Sequence, residues 1–583
     1  MNLRPFLPGV LLALSSVTVC AQHLSADGAQ QTFSVASERY FTDVYFRNNP
    51  TAGTQAGFHQ YDAQLEDYSA AAVQRETGEL HAALKQMEAI PGDGLDRSVA
   101  DDRELLMNSI RSQLLSLETI RMWEKNPDNY PSGVTSSIFT LMERDFAPVD
   151  TRLRSAIARE RLIPAVLADG KKNLKNPPKI YTEIALDQID GTISFFQNDV
   201  PGAFAKATDP KLKAEFQQTN ATVIAALKDY AAWMKSDLLP RSNGTFAFGA
   251  DTYRKKLLYD EMVDTPLDRL LAINAANMKA NQDEFARVAK EIDPSKTPQQ
   301  MLAELAAMHP APDHLLQSFR DSFNAEIAFI QQHHIITLPS DVRPVLEETP
   351  PFERATTQAS MDPPGPFERN STRAYFNVTL PDKSWSPERT NSYMAAFNEG
   401  TIVSTSVHEA YPGHYVQFLW QDRFPSKVRK LVGAATNIEG WAHYCEQMML
   451  DEGYLPPETD ARTAKLIRLG QLQDALLRNA RFNVAIRMHT MGMTTDEAEK
   501  FFVTEGFQSP EIAKVETRRG TADATYLYYT LGKLEILKLR EDVKAKQGAA
   551  FTLGKFHDRF MVEGPVPIRI VRRDLLGNDS PVL

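Results

Sequence analysis

Two imidazoles and a carboxylate fall within seven residues at His408-Glu409-Ala410-Tyr411-Pro412-Gly413-His414, in a chain with only twelve histidines. Neutral imidazole and carboxylate are zinc ligands, and a catalytic zinc keeps three protein ligands plus one water whose pKa falls to roughly 7. That water needs a carboxylate beside it to take its proton. In the pattern His-Glu-x-x-His, two histidines one helical turn apart hold the metal and the intervening Glu is the base. Glu409 occupies that position after His408, but His414 follows His408 by six residues, about 240° round an ideal helix. An unbroken helix cannot aim both rings at one ion. Pro412 removes a backbone donor and clashes with the preceding turn, and Gly413 tolerates dihedrals that other residues avoid. The helix is therefore expected to bulge or break there, returning His414 to the metal.

A second carboxylate comes with Glu439-Gly440-Trp441-Ala442-His443-Tyr444, at a distance that a helix, a turn and a second helix would span. Glu439 is either part of the site or a buried carboxylate paired with a basic residue. His443, at i+4 from Glu439, shares its face; it reads as a hydrogen-bonding partner that orients a metal-bound group, with direct ligation as the alternative. Glu446 reads as support or solvation for the same helix.

The pair HEAYPGH and EGWAHY resembles a bacterial family of unknown function whose members carry HExxPGH followed by EGWAxY, grouped with the zincin metallopeptidases. The segment Pro50 to Asp62, Tyr529-Thr530-Leu531-Gly532 with Leu539-Arg540, Phe556-His557-Asp558 and Gly564-Pro565-Val566-Pro567 extend the resemblance through most of the chain. It implies a gluzincin-like site with His408, His414 and Glu439 as metal ligands and Glu409 as base. It implies no known substrate. Arg518-Arg519 and Asp523 stand where the pattern has Arg-Tyr and a later Pro, a departure that leaves no substrate role to carry over to Arg518.

Hydrolysis also needs donors for the oxyanion. The segment Tyr526 to Lys533 is the best source, because a tyrosine hydroxyl donates to developing charge and Gly532 allows close approach. Tyr529 is the candidate, against an aromatic stripe in a helical core. His489 is a weaker candidate for the same task and reads equally as a satisfied core histidine. Arg478, Arg481 and Arg487 form either a patch that takes a substrate's terminal carboxylate by bidentate bonds or a solvated helix face.

Composition sets the frame. With 583 residues, 43% hydrophobic and 24% charged, the chain has material for a large core, and a net charge of -11 argues against a nucleic-acid partner or a basic membrane footprint. Arg4, the apolar run Phe6 to Val19 and the small-residue site Val19-Cys20-Ala21 read as a signal peptide cleaved after Ala21, giving a secreted or periplasmic protein. Val19 is a poor residue before a lipidated cysteine, which disfavours a lipid anchor at Cys20. Cleavage leaves Cys445 alone, so no internal disulfide forms, and Cys445 reads as a buried small hydrophobe. No other segment has the ~20 apolar residues of a membrane span.

Helical signals dominate. Asp209-Pro210, Thr297-Pro298 and Ser386-Pro387 read as helix starts and Thr494 to Glu497 as a capping box. Ala374 to Leu380 is the clearest strand, read either as an edge strand that binds extended substrate beside the metal helix or as a structural hairpin. The expectation is a mainly α, two-lobed, zincin-like fold with a small β element: signal peptide 1–21, N-terminal helical lobe 22–337, proline-rich crossing 338–373 and catalytic lobe 374–583. Its expected activity is zinc-dependent peptide hydrolysis, as an exopeptidase or oligopeptidase, with one zinc per chain. Manganese, cobalt or iron suit the same donors. The rivals are a metal-binding protein without catalysis and a zinc amidase or esterase.

Overall fold

Side-chain caps set the helix starts where the local sequence places them. Asp209 accepts from the backbone N–H of Lys211 and Leu212 ahead of Pro210–Trp233, and Ser386 accepts from Arg389 ahead of Pro387–Met394. Thr297 with Gln300 and Thr494 with Glu497 form reciprocal capping boxes on Pro298–Ala306 and Thr495–Thr504. Each satisfies an N–H that the first helical turn leaves unpaired. These elements belong to a computed structural model that describes residues 26–349, 354 and 358–583. The expected signal peptide, with Cys20 and Ala21, lies outside the described residues.

The helices close over three buried clusters. One draws residues from Phe33 to Val571 and includes both motif-bearing segments; a second joins Tyr253–Leu305 to Leu466–Leu531; the third is contiguous, Tyr130 to Leu238. The first two clusters draw residues from both sides of the segment 338–373. Leu267–Ile292 runs along Ala461–Thr490. There the Asn479 side-chain amide donates to Asn274 Oδ1 at 2.8 Å, and Asn274 Nδ2 donates to the Asn479 carbonyl at 3.0 Å.

The β element is one small sheet with strands β1 (Val345–Glu348), β2 (Ala359–Asp362) and β3 (Tyr375–Val378), in the order β1-β3-β2. β1 is parallel to β3 and β2 antiparallel to it. The expected strand exists, but as the middle one, so both its edges are already paired and it cannot accept a substrate strand. The strand packed beside the helix Glu399–Glu409 is β2, an edge strand. Arg144 anchors this sheet to the middle segment, donating to Arg373 O at 2.6 Å and Asp362 O at 2.7 Å. Cys445 is fully buried and unpaired. Among the described residues, no helix is long and apolar enough to cross a membrane.

Candidate metal centre

The histidine helix, Glu399–Glu409, starts at Asn398, whose side chain accepts from Thr401 N–H, and stops at Ala410. A cis peptide joins Tyr411 to Pro412, Gly413 N–H donates to Val407 O at 3.0 Å, and a second helix begins at His414. Gly413 packs so tightly on the His408 carbonyl that no Cβ fits there. The chain therefore breaks fully rather than bulging, and the break sets the rings of His408 and His414 4.9 Å apart, edge to face.

The third donor arrives on the helix Ala435–Asp451. Glu261 caps that helix, accepting from Ala435 N–H at 3.2 Å and Thr436 N–H at 2.9 Å. Trp441 Nε1 donates to Pro412 O at 2.8 Å, tying the second motif to the turn of the first. Glycines then allow this helix to cross Tyr528–Gln547 backbone to backbone: a Cβ on Gly440 would lie 2.6 Å from Gly532 Cα. In this position Glu439 Oε2 stands 3.4 Å from His408 Nε2 and 3.6 Å from His414 Nε2.

A tetrahedral zinc with bonds of about 2.0–2.1 Å separates its ligand atoms by about 3.3–3.4 Å, close to the two distances from Glu439 Oε2 to the imidazole nitrogens. Donor atoms of His408, Glu409 and His414 also lie within 4.8 Å of one another, which puts a second carboxylate at the rim of the same space. Either carboxylate could therefore join the two imidazoles on a metal ion, and Glu439 contacts both of them.

Behind these side chains lies a buried charge network. Glu446, fully buried, accepts from His408 Nδ1 at 2.7 Å and from Arg478 Nη2 at 2.9 Å through Oε1, while Oε2 lies 3.0 Å from His443 Nδ1. Burial opposes ionisation of Glu446, but Arg478 and His443 hold its carboxyl well below the usual range. His408 is likewise disfavoured as a cation by burial, yet its bonds to Glu439 and Glu446 push it up to about 10. Burial raises Glu439, and the two histidines outweigh it and hold it low. His443 falls to about 3, through burial and then the Lys533 cation. His443 thus hydrogen-bonds Glu446 rather than a ligand, one link further out than expected. The residue that orients His408 is Glu446, expected from its sequence position only to support or solvate its helix. The available signal was its i+7 spacing from Glu439 on the face that carries His443.

Tyr529 is half-buried at the start of the crossing helix, its ring flanked by Arg478 and Arg481 at 5.5 and 5.1 Å. The expected arginine patch does not form. Arg478 is committed to Glu446, Arg481 bonds Glu516 in bidentate fashion at 2.6 and 2.7 Å, and Arg487 is solvent-exposed. His489 is a core residue, not a site residue. It sits eleven residues along the helix from Arg478, its Nε2 bonds Gly520 O at 2.8 Å, Phe246 and Phe248 pack on its ring, and burial lowers its pKa. Arg518 pairs with Asp187 at 2.5 Å; its neighbour Arg519 is the one that reaches Tyr529.

No curated protein matches the chain. Among solved structures, a candidate lipoprotein of unknown function from Shewanella oneidensis is similar at 26% identity and TM-score 0.78, over 95% of this chain and 100% of that one. A candidate lipoprotein from Colwellia psychrerythraea has 18% identity and the same TM-score of 0.78, over 95% and 99%, which shows a shared fold. Residues 50–575 match the family described as bacterial protein of unknown function (DUF885), and the chain belongs to that family.

Proposed function

We propose that this protein is a zincin-like metallopeptidase acting outside the cytoplasm. The observation that carries the reading is the convergence of Glu439 Oε2 on the two imidazole nitrogens at 3.4 and 3.6 Å, with the far nitrogen of His408 already held by Glu446. A zinc ion bound by these three side chains would lower the pKa of a bound water toward about 7 and polarise a carbonyl. Glu409 takes the proton of the attacking water and passes it to the leaving amine. Tyr529 donates to the oxyanion. Glu446, fixed by Arg478 and His443, holds His408 in one tautomer and orientation, the usual service of a carboxylate behind a metal-bound imidazole. As an edge strand beside the histidine helix, β2 offers main-chain bonds to an extended peptide. The apolar run ending at Cys20, together with the resemblance to a candidate lipoprotein, supports export and makes Cys20 the position for any lipid anchor.

The test is a diverse peptide mixture incubated with the mature protein, with and without a chelator, alongside metal analysis of the same sample. Stoichiometric metal and chelator-sensitive cleavage support the reading. Bound metal with no peptide changed would sink it.

A further inference from the structure

Three guanidiniums surround the ring of Tyr529: Arg481 at 5.1 Å, Arg478 at 5.5 Å and Arg519 at 6.0 Å from its centre. They are not equivalent. Arg478 spends Nη1 and Nη2 on Glu446, and its Nε is buried. Arg481, 8% exposed, is locked on Glu516 through Nε and Nη2. Arg519 directs Nε and Nη2 at a single oxygen of Asp523, at 3.3 and 3.2 Å, and Nη2 also reaches Tyr528 OH at 3.4 Å. Its side chain is 38% exposed. The Tyr529 hydroxyl bonds this guanidinium as well, but the side chains of Arg478 and Arg481 are only 14% and 10% exposed, so Arg519 is the one of the three that solvent reaches.

Tyr529, beside that guanidinium, is tied to the candidate metal centre by the helix crossing. Glu439 immediately precedes Gly440, Tyr529 lies one turn before Gly532, and these two glycines are in backbone contact. A planar guanidinium edge with two parallel N–H groups matches a carboxylate, the group that ends every unmodified peptide. Arg478 and Arg481 are held in buried ion pairs, whereas Arg519 meets Asp523 at the surface through contacts of 3.2 and 3.3 Å, so a substrate carboxylate here would compete with Asp523 for Arg519.

We propose that Arg519, beside Tyr529, binds the free C-terminal carboxylate of the substrate, which makes the enzyme one that trims peptides from the C-terminus. This rests on the hydrolytic reading of the metal site. The bond broken is a peptide C–N bond near that terminus: water gives its oxygen to the acyl carbon and a proton to the departing amine.

The experiment uses a hexapeptide library in free-acid and C-terminal amide forms. Retention on the zinc-loaded Glu409→Gln protein is read by mass spectrometry, alongside cleavage by the unsubstituted protein. Free acids are expected to be retained about tenfold or more over amides, the scale of one charge-assisted bidentate contact. Arg519→Met should erase that preference and leave amide retention unchanged, which also reports an intact fold; Arg519→Lys should keep part of it. Products should be shortened from the C-terminus alone. Equal retention of both forms, or a preference that survives Arg519→Met, would overturn the proposal even if peptides are cleaved. An Arg519-dependent preference without any cleavage would keep the carboxylate subsite and overturn the hydrolytic reading beneath it.

Discussion

His408 Nδ1 lies 2.7 Å from Glu446 Oε1, and the partners of that carboxylate, Arg478 and His443, are supplied by two different helices. The imidazole is thus oriented before any metal arrives. Glu446→Gln keeps the shape and removes the charge, so metal affinity should fall about 10- to 100-fold. Titration against a competing chelator measures it, and an unchanged affinity would remove Glu446 from the site.

In the proposed mechanism Glu409 moves protons and Glu439 holds the metal. Glu409→Gln should therefore retain stoichiometric metal while kcat falls by about 10²–10⁴-fold or more. Metal analysis and peptide turnover on the same preparation decide the matter; retained activity would refute the assignment of the base.

Gly532 meets the carbonyl of Thr436 where the two helices cross, and a Cβ there overlaps it. Gly532→Ala must push the helices apart, at a cost of about 1–3 kcal/mol or more. Because Glu439 rides on the displaced helix, the melting temperature and the metal affinity should drop together. A lower melting temperature with unaltered metal binding would show that the crossing supports the fold without setting Glu439.

Glu326, fully buried under the histidine helix, accepts from Ser322 Oγ at 3.0 Å and from Ser406 Oγ. Burial pushes its carboxyl up from an ordinary 4.5 to about 8. Folded protein therefore holds a proton that the unfolded chain has lost, and stability declines as pH rises from about 4.5 through about 8. Glu326→Gln removes that decline. Its melting temperature relative to the parent should climb between about pH 4.5 and about pH 8 and level off above, and a difference independent of pH would contradict a protonated Glu326.

His489 packs in the core, so His489→Ala should lower the melting temperature and leave kcat/KM of the folded fraction unchanged. Loss of activity without loss of stability would return it to the site.

Chain-local chemistry was legible in the sequence alone. A proline and a glycine at Pro412-Gly413 cannot continue a helix whoever their neighbours are, so the break that returns His414 to His408 followed from residue types. The caps at Asp209, Thr297, Ser386 and Thr494 and the burial of Cys445 followed in the same way. Pairings between distant positions did not. His408 meets Glu446 across 38 residues and Arg478 meets Glu446 across 32. Whether Glu446 or His443 faces the imidazole depends on how far one helix is rotated against the next, a quantity set by the Gly440–Gly532 crossing and by no local rule. The same holds for the strand Tyr375–Val378, read correctly as extended but placed in the middle of the sheet by two partners too short to announce themselves. It holds too for Arg519, which stands at Tyr529 while its neighbour Arg518 turns away to Asp187. Residue type and spacing determined which chemistry the chain can host; helix rotation and crossing decided which side chains meet to perform it.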